Sequence, residues 1–204
     1  MIELLACKLG RNDEAPNIDL AETLCNNADR LGILEIVAAY KSKETAVADD
    51  AIKVLYEIAK RQPQLVADFV ADFIAGLAAK NNRIIWGSMM ALAYIAPLTS
   101  TNIYQHLNEI VMAYRQGSVI TIDNSISVFA ALCKADSGYC KELLPLLIEH
   151  FSSCRPKEIP QHAERLQASL SDHAKKEILN IINSRITELS ASQVLRLRKI
   201  IRNF

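Results

Sequence analysis

Apolar residues in this chain recur at spacings of three and four, which gathers them on one face of a helix. Sliding the sequence by 37 positions superposes these faces. Leu55, Leu92, Phe129 and Leu166 share a column, with Ile52, Met89, Ile126 and Ala163 three residues before it and Ala59, Ala96, Cys133 and Leu170 four after. A second set repeats with the same period: Val70, Leu107, Leu144; Phe73, Ile110, Leu147; Ile74, Val111, Ile148; and Leu77, Tyr114, Phe151. Small residues fill the column of Ala51, Ser88 and Ser125, where neighbouring helices would need to approach closely. Two amphipathic helices per unit predict an all-α superhelix, a solenoid of about five to six helical hairpins.

Local signals set the boundaries. Pro63 suits the first turn of a helix, where its missing N–H costs nothing. Asn81-Asn82 and Gly117-Ser118 fall between helices, and Asn or Ser there can cap the next one. The predicted pairs are 1–9 with 17–28, 30–41 with 44–61, 63–79 with 82–97, 100–115 with 118–134, 137–153 with 157–170, and 172–188 with 190–203. The end pairs are atypical, as terminal repeats with a polar outer face should be. No stretch reads as a linker, so residues 1–204 are expected to form one domain, regular over 44–170.

These residues carry a resemblance to HEAT repeats. Ser88-Met89-Met90-Ala91-Leu92-Ala93-Tyr94-Ile95-Ala96 resembles a second HEAT helix, and Leu143-Leu144-Pro145-Leu146-Leu147-Ile148 a first one. The Arg usual early in the second helix is replaced by Ala48, Ile85, Ile122 and Ile159. The resemblance implies stacked hairpins whose second helices line a concave groove. It implies no reaction.

Composition narrows the function. Half the residues are apolar, and 23 Lys and Arg balance 23 Asp and Glu. Neutrality argues against a chain whose main task is gripping a polyanion. Charge is uneven along the chain, and the end from Ser190 has Arg196, Arg198, Lys199 and Arg202 and no acid. The five cysteines form no C-x-x-C pair, which fits reduced thiols in a cytoplasmic setting. Glu3 and Lys8 interrupt the apolar start, so no signal peptide is expected. The stretch from Ile84 to Asn108 lacks charged residues, but Pro97 and the polar residues after it divide it short of a membrane span.

No phosphate-cradling, nucleophile-elbow or metalloprotease motif occurs. The histidines, His106, His150, His162 and His173, are scattered, and His106 reads as packed or partly buried. No cofactor or metal is expected. The informative positions open the second helices. Asp49, Trp86 and Asp123 share a column; Lys53, Met90 and Ser127 lie one turn on, Tyr94 follows another turn later, and Asn124 sits beside Asp123. Stacking would align Asp49, Trp86 and Asp123 as a groove stripe, with the chain's only Trp between two carboxylates. An aromatic face there suits a base, a cation or an apolar anchor. The competing reading is structural: Asp in a first turn complements the helix dipole, and Trp fills a gap between units. Gly117 to Ser125 is a second candidate, because an N-terminus opening on β-branched residues could hold an anion. Its structural reading has Ser118 capping and Val119, Ile120 and Ile122 buried.

Two functions fit. The first is a non-enzymatic scaffold that takes a protein or peptide partner in its groove. The second resembles the HEAT-like alkylpurine DNA glycosylases, whose groove combines tryptophans, an Asp and basic residues. Here one Trp and only Lys53 as a groove cation favour the scaffold.

Overall fold

A computed structural model of the chain describes residues 1–201, apart from the side chain of Ile201; Arg202, counted above in the basic end, lies outside the described residues. Among the described residues the fold is all-α, with no strand. The chain packs as two compact units, Met1–Ser125 and Ile126 onward.

In the first unit, α1 (Ala15–Asn26), α2 (Arg30–Tyr40), α3 (Thr45–Arg61), α4 (Val70–Gly76), α5 (Asn82–Gln105) and α6 (Leu107–Gln116) follow a short 3-10 turn at Ile2–Leu4. Helix α3 is the hub, packing on α1, α2 and α5, and α4 lies on α5. Contacts thus run both between sequence neighbours and between alternate helices. Helix α7 (Val119–Ala135) carries the chain past the unit boundary. The second unit continues with α8 (Ser137–Ser153), α9 (Ile159–Leu166), α10 (Asp172–Ser184) and α11 (Ala191–Ile201), where α8 packs on α10 and α9 on α11.

The 37-residue register is visible in the burial. Leu55, Leu92, Phe129 and Leu166 are all fully buried, as are Ile52, Met89, Ile126 and Ala163. The small column is buried too, and the reason is close approach. A Cβ on Gly87 would sit 2.6 Å from Ile52, and one on Gly76 only 1.8 Å from Tyr40 Oη and 2.3 Å from Ser88 Oγ. Tyr40 and Ser88 share a buried hydroxyl–hydroxyl bond of 2.8 Å at that point.

Several boundaries differ from the sequence reading. Residues 1–9 form no α-helix. The expected helix at 63–79 is broken into 3-10 turns at Pro63–Leu65 and Ala67–Phe69 before α4 begins. Pro63 disfavours helical geometry in the residue before it, and Gln62 adopts φ −142°, ψ 77°. The break expected near residue 98 is instead a kink: Thr99 leaves helical geometry with φ −129°, ψ 26°. Its hydroxyl donates to the Ile95 carbonyl at 3.1 Å, so the chain bends without a loop. The real interruption comes at His106, which opens α6. Helix α9 stops at Leu166, and α10 stops at Ser184 before a 3-10 turn at Ile186–Glu188.

Helix α5 is the one helix among the described residues long and apolar enough to cross a membrane, and 44% of its most apolar window is buried inside the protein. Its Ile84, Met89, Leu92 and Ile95 belong to the core.

Candidate functional site

The N-terminal segment is fastened to the start of α3 by polar bonds. Asp50 accepts the Cys7 N–H at 2.7 Å and the Asn17 amide at 2.8 Å, and fully buried Asn17 accepts the Ala6 N–H at 3.0 Å. Gly10, with φ +66°, turns the loop back in a conformation that favours glycine. Between this loop and the starts of α3 and α5 lies a cleft of ≈ 440 Å³, lined by Arg11, Asp13, Glu14, Asp49, Asp50 and Arg83 among others.

Trp86 stands beside the cleft on α5 and is half-buried. Its ring lies 5.7 Å from the Tyr56 ring, and the Arg83 guanidinium sits 5.7 Å from its centroid. Lys53 Nζ lies 4.8 Å from the Tyr56 ring. Glu14 joins the two cations, with Oε2 2.9 Å from Lys53 Nζ and Oε1 2.6 Å from Arg83 Nη2. Glu57 adds a 3.0 Å contact to Lys53 and also pairs with Arg61. Cations over aromatic faces gain from the ring quadrupole, more so when shielded from water.

Lys53 is only 6% exposed. Burial works against its ammonium, but hydrogen bonds to Tyr56, Glu14 and Glu57 outweigh it and raise the pKa. Burial likewise opposes the carboxylates of Glu14 and Glu57. Lys53 and Arg83 nevertheless hold Glu14 below its ordinary value, and Arg61 and Lys53 do the same for Glu57.

The predicted stripe is therefore divided. Asp49, Lys53 and Trp86 all lie in or beside this one region. Lys53 is not a groove-lining cation, however, because its ammonium is enclosed and bonded. Asp49 is the fifth residue of α3, not a first-turn cap; its carboxylate accepts the Asn81 amide at 2.6 Å. Asp123 is half-buried on α7, Met90 is half-buried, and Tyr94 is 37% exposed on α5. Asn124 donates to its own helix at the Ile120 carbonyl, 2.8 Å away. Ser127 belongs to the second unit, where its hydroxyl accepts from Arg165 at 3.2 Å.

At the second candidate segment, Ser118 Oγ accepts the Thr121 N–H at 3.3 Å, as a capping residue does. The expectation that its apolar neighbours are buried is corrected. Val119 and Ile120 are 46% and 43% exposed and Ile122 is half-buried, because the first turn of α7 leaves them on the outer side.

His106 Nδ1 pairs with Glu109 at 3.1 Å on α6. A histidine pair was not anticipated. His150 Nε2 and His162 Nδ1 are 2.8 Å apart and both residues are buried. The register held the clue, since Gly76, Ala113 and His150 share one column and Ser88, Ser125 and His162 another. Where Gly76 meets Ser88 as two small residues, the second unit places two bonded imidazoles. Arg196, in the basic end, pairs with Glu164.

Comparison with known proteins gives fold alone. No family model matches the chain, and no curated protein does. Its fold is similar to the crystal structures of two engineered proteins. One superposes with a TM-score of 0.71 at 16% identity over 99% of this chain and 95% of the other. The second gives 0.66 at 17% identity over 99% and 96%.

Proposed function

We propose that the chain is a non-enzymatic helical-repeat scaffold of HEAT type that binds a protein or peptide through the surface carrying Asp49 and Trp86. The repeat assignment draws support from packing between alternate helices, α1 on α3 on α5 in one unit and α8 on α10, α9 on α11 in the other. Stacked hairpins produce that pattern. The observation that carries the binding assignment is the half-buried Trp86, held between Tyr56 and Arg83, and Arg83 in turn lines a polar cleft. A fixed aromatic flanked by charge is a common anchor in protein recognition. The DNA-repair alternative is weaker here. Lys53 is enclosed by Glu14 and Glu57, and the adjoining cleft sets the carboxylates of Asp13, Glu14, Asp49 and Asp50 against the two cations Arg11 and Arg83, an acidic excess that disfavours a phosphate backbone. The five cysteines are free thiols, in keeping with a reducing, cytoplasmic setting.

Selection of a random peptide library on the native chain tests this reading. Enriched peptides should lose at least about tenfold in affinity with Trp86→Ala. Enrichment that ignores Trp86 would place the binding surface elsewhere.

A further inference from the structure

Two cations from different helices converge on one carboxylate at the cleft. Glu14 receives Lys53 at one oxygen and Arg83 at the other, 2.9 and 2.6 Å away. Each cation rides on an aromatic ring, Lys53 on Tyr56 and Arg83 on Trp86. Lys53 is fixed in the interior, whereas the Glu14 side chain stays 44% exposed. The permanent part of this arrangement is thus the cationic, aromatic cradle. The accessible part is its occupant.

Glu14 also fills the cradle imperfectly. Arg83 Nε is buried and bonds to nothing. A guanidinium engages a carboxylate best as a fork, through two parallel N–H···O bonds, and Glu14 reaches only Nη2. Leaving the cradle requires no unfolding of the loop. The Glu14 carbonyl is anchored separately by the Ile18 N–H at 3.1 Å, so side-chain rotation suffices. Once Glu14 has swung away, Lys53 and Arg61 still share the carboxylate of Glu57, while Arg83 has lost the carboxylate it paired with.

We propose that Lys53, Arg83, Tyr56 and Trp86 form a carboxylate-binding site, occupied by Glu14 in the free chain and taken over by a carboxylate of a partner peptide. The ligand is an acidic side chain or a C-terminal carboxylate. A nucleic acid is disfavoured because Asp13, Asp49 and Asp50, with only Arg11 to offset them, line the rest of the cleft where its neighbouring phosphates would fall. A single carboxylate avoids that repulsion. The inference rests on the scaffold reading in taking the partner to be a peptide.

Calorimetric titration of the native chain and Glu14→Ala tests it with two probes: acetyl-Gly-Glu-Gly-Gly-amide, and acetyl-tetraglycine with a free C-terminus. Glu14→Ala should bind at least one probe about tenfold or more tightly than the native chain. The probe that gains identifies the source of the carboxylate. Adding Lys53→Met should abolish the gain. Glu14→Gln, which keeps the shape and removes the charge, should show the same trend and covers the case in which the alanine variant fails to fold. No gain in either variant, a gain that survives Lys53→Met, or tighter binding of duplex DNA than of both probes overturns the assignment. If the gain is absent while library-selected peptides still need Trp86, the scaffold reading stands without this site. If no peptide binds any form, both fall.

Discussion

Gly76→Ala should destabilise the first unit by roughly 2–3 kcal/mol, although alanine is the better helix former. The new Cβ would lie 1.8 Å from Tyr40 Oη and 2.3 Å from Ser88 Oγ. Ser88 is fully buried and Tyr40 nearly so, which leaves neither hydroxyl an open direction to retreat. Overpacking of a filled core costs about 1–3 kcal/mol, and breaking the Tyr40–Ser88 bond adds about 0.5–1.5 kcal/mol. The helix-propensity gain of at most about 1 kcal/mol is reduced because Gly76 is the last residue of α4. Urea unfolding followed by Trp86 emission is the assay, since the only tryptophan lies in this unit. In a Tyr40→Phe background the closest atom is gone and Ser88 Oγ can rotate, so the penalty should shrink by about 1 kcal/mol or more. A neutral Gly76→Ala, or a penalty unchanged by Tyr40→Phe, would refute the claim that small residues set the helix spacing.

Further outcomes follow from the buried polar groups. Glu14 and Glu57 titrate below their ordinary values when folded, so their contribution is present above the unfolded pKa of about 4.3 and is lost as pH falls through the lower folded values. Trp86-monitored stability should therefore decline below about pH 4.3, and less steeply in Glu14→Gln. Lys53, raised by its partners, has the opposite sign: its contribution holds up to the unfolded pKa of about 10.4 and is lost only as pH rises through the higher folded value. Burial, followed by the hydrogen bond and charge of Asp50, pushes the Cys7 thiol up to about 11. Its alkylation at pH 8 should be about a hundredfold slower than in the urea-unfolded chain, and equal rates would contradict the burial. His150→Ala should cost the second unit about 2–4 kcal/mol through the cavity and the lost bond to His162, measured by circular dichroism in urea. A loss under about 0.5 kcal/mol would mean that the imidazoles are not bonded.

The core was legible in the sequence because burial repeats with the helices: one register of Leu55, Leu92, Phe129 and Leu166 marks the buried face of four of them. Helix ends were less so. Pro63 reads equally well as a helix start and as the cause of a preceding break, and only the packed chain selects the 3-10 turns that follow it. Pro97 reads as a terminator, yet the kink at Thr99 with its hydroxyl bond lets α5 continue. The stripe of Asp49 and Trp86 was visible as a column. The cluster around it was not, because Glu14 lies in the N-terminal loop outside the 37-residue register. No column could reveal that Lys53, apparently an open groove cation, is closed over by that loop.

What Trp86 meets separates a peptide scaffold from a nucleic-acid surface. Its emission should be followed while the native chain is titrated, at physiological salt, with a library-selected peptide and separately with duplex DNA. The peptide should shift or quench the emission saturably, and DNA should leave it unchanged. Sub-micromolar binding of DNA with steep salt dependence, alongside silence from the peptide, would contradict the scaffold reading and favour a nucleic-acid surface.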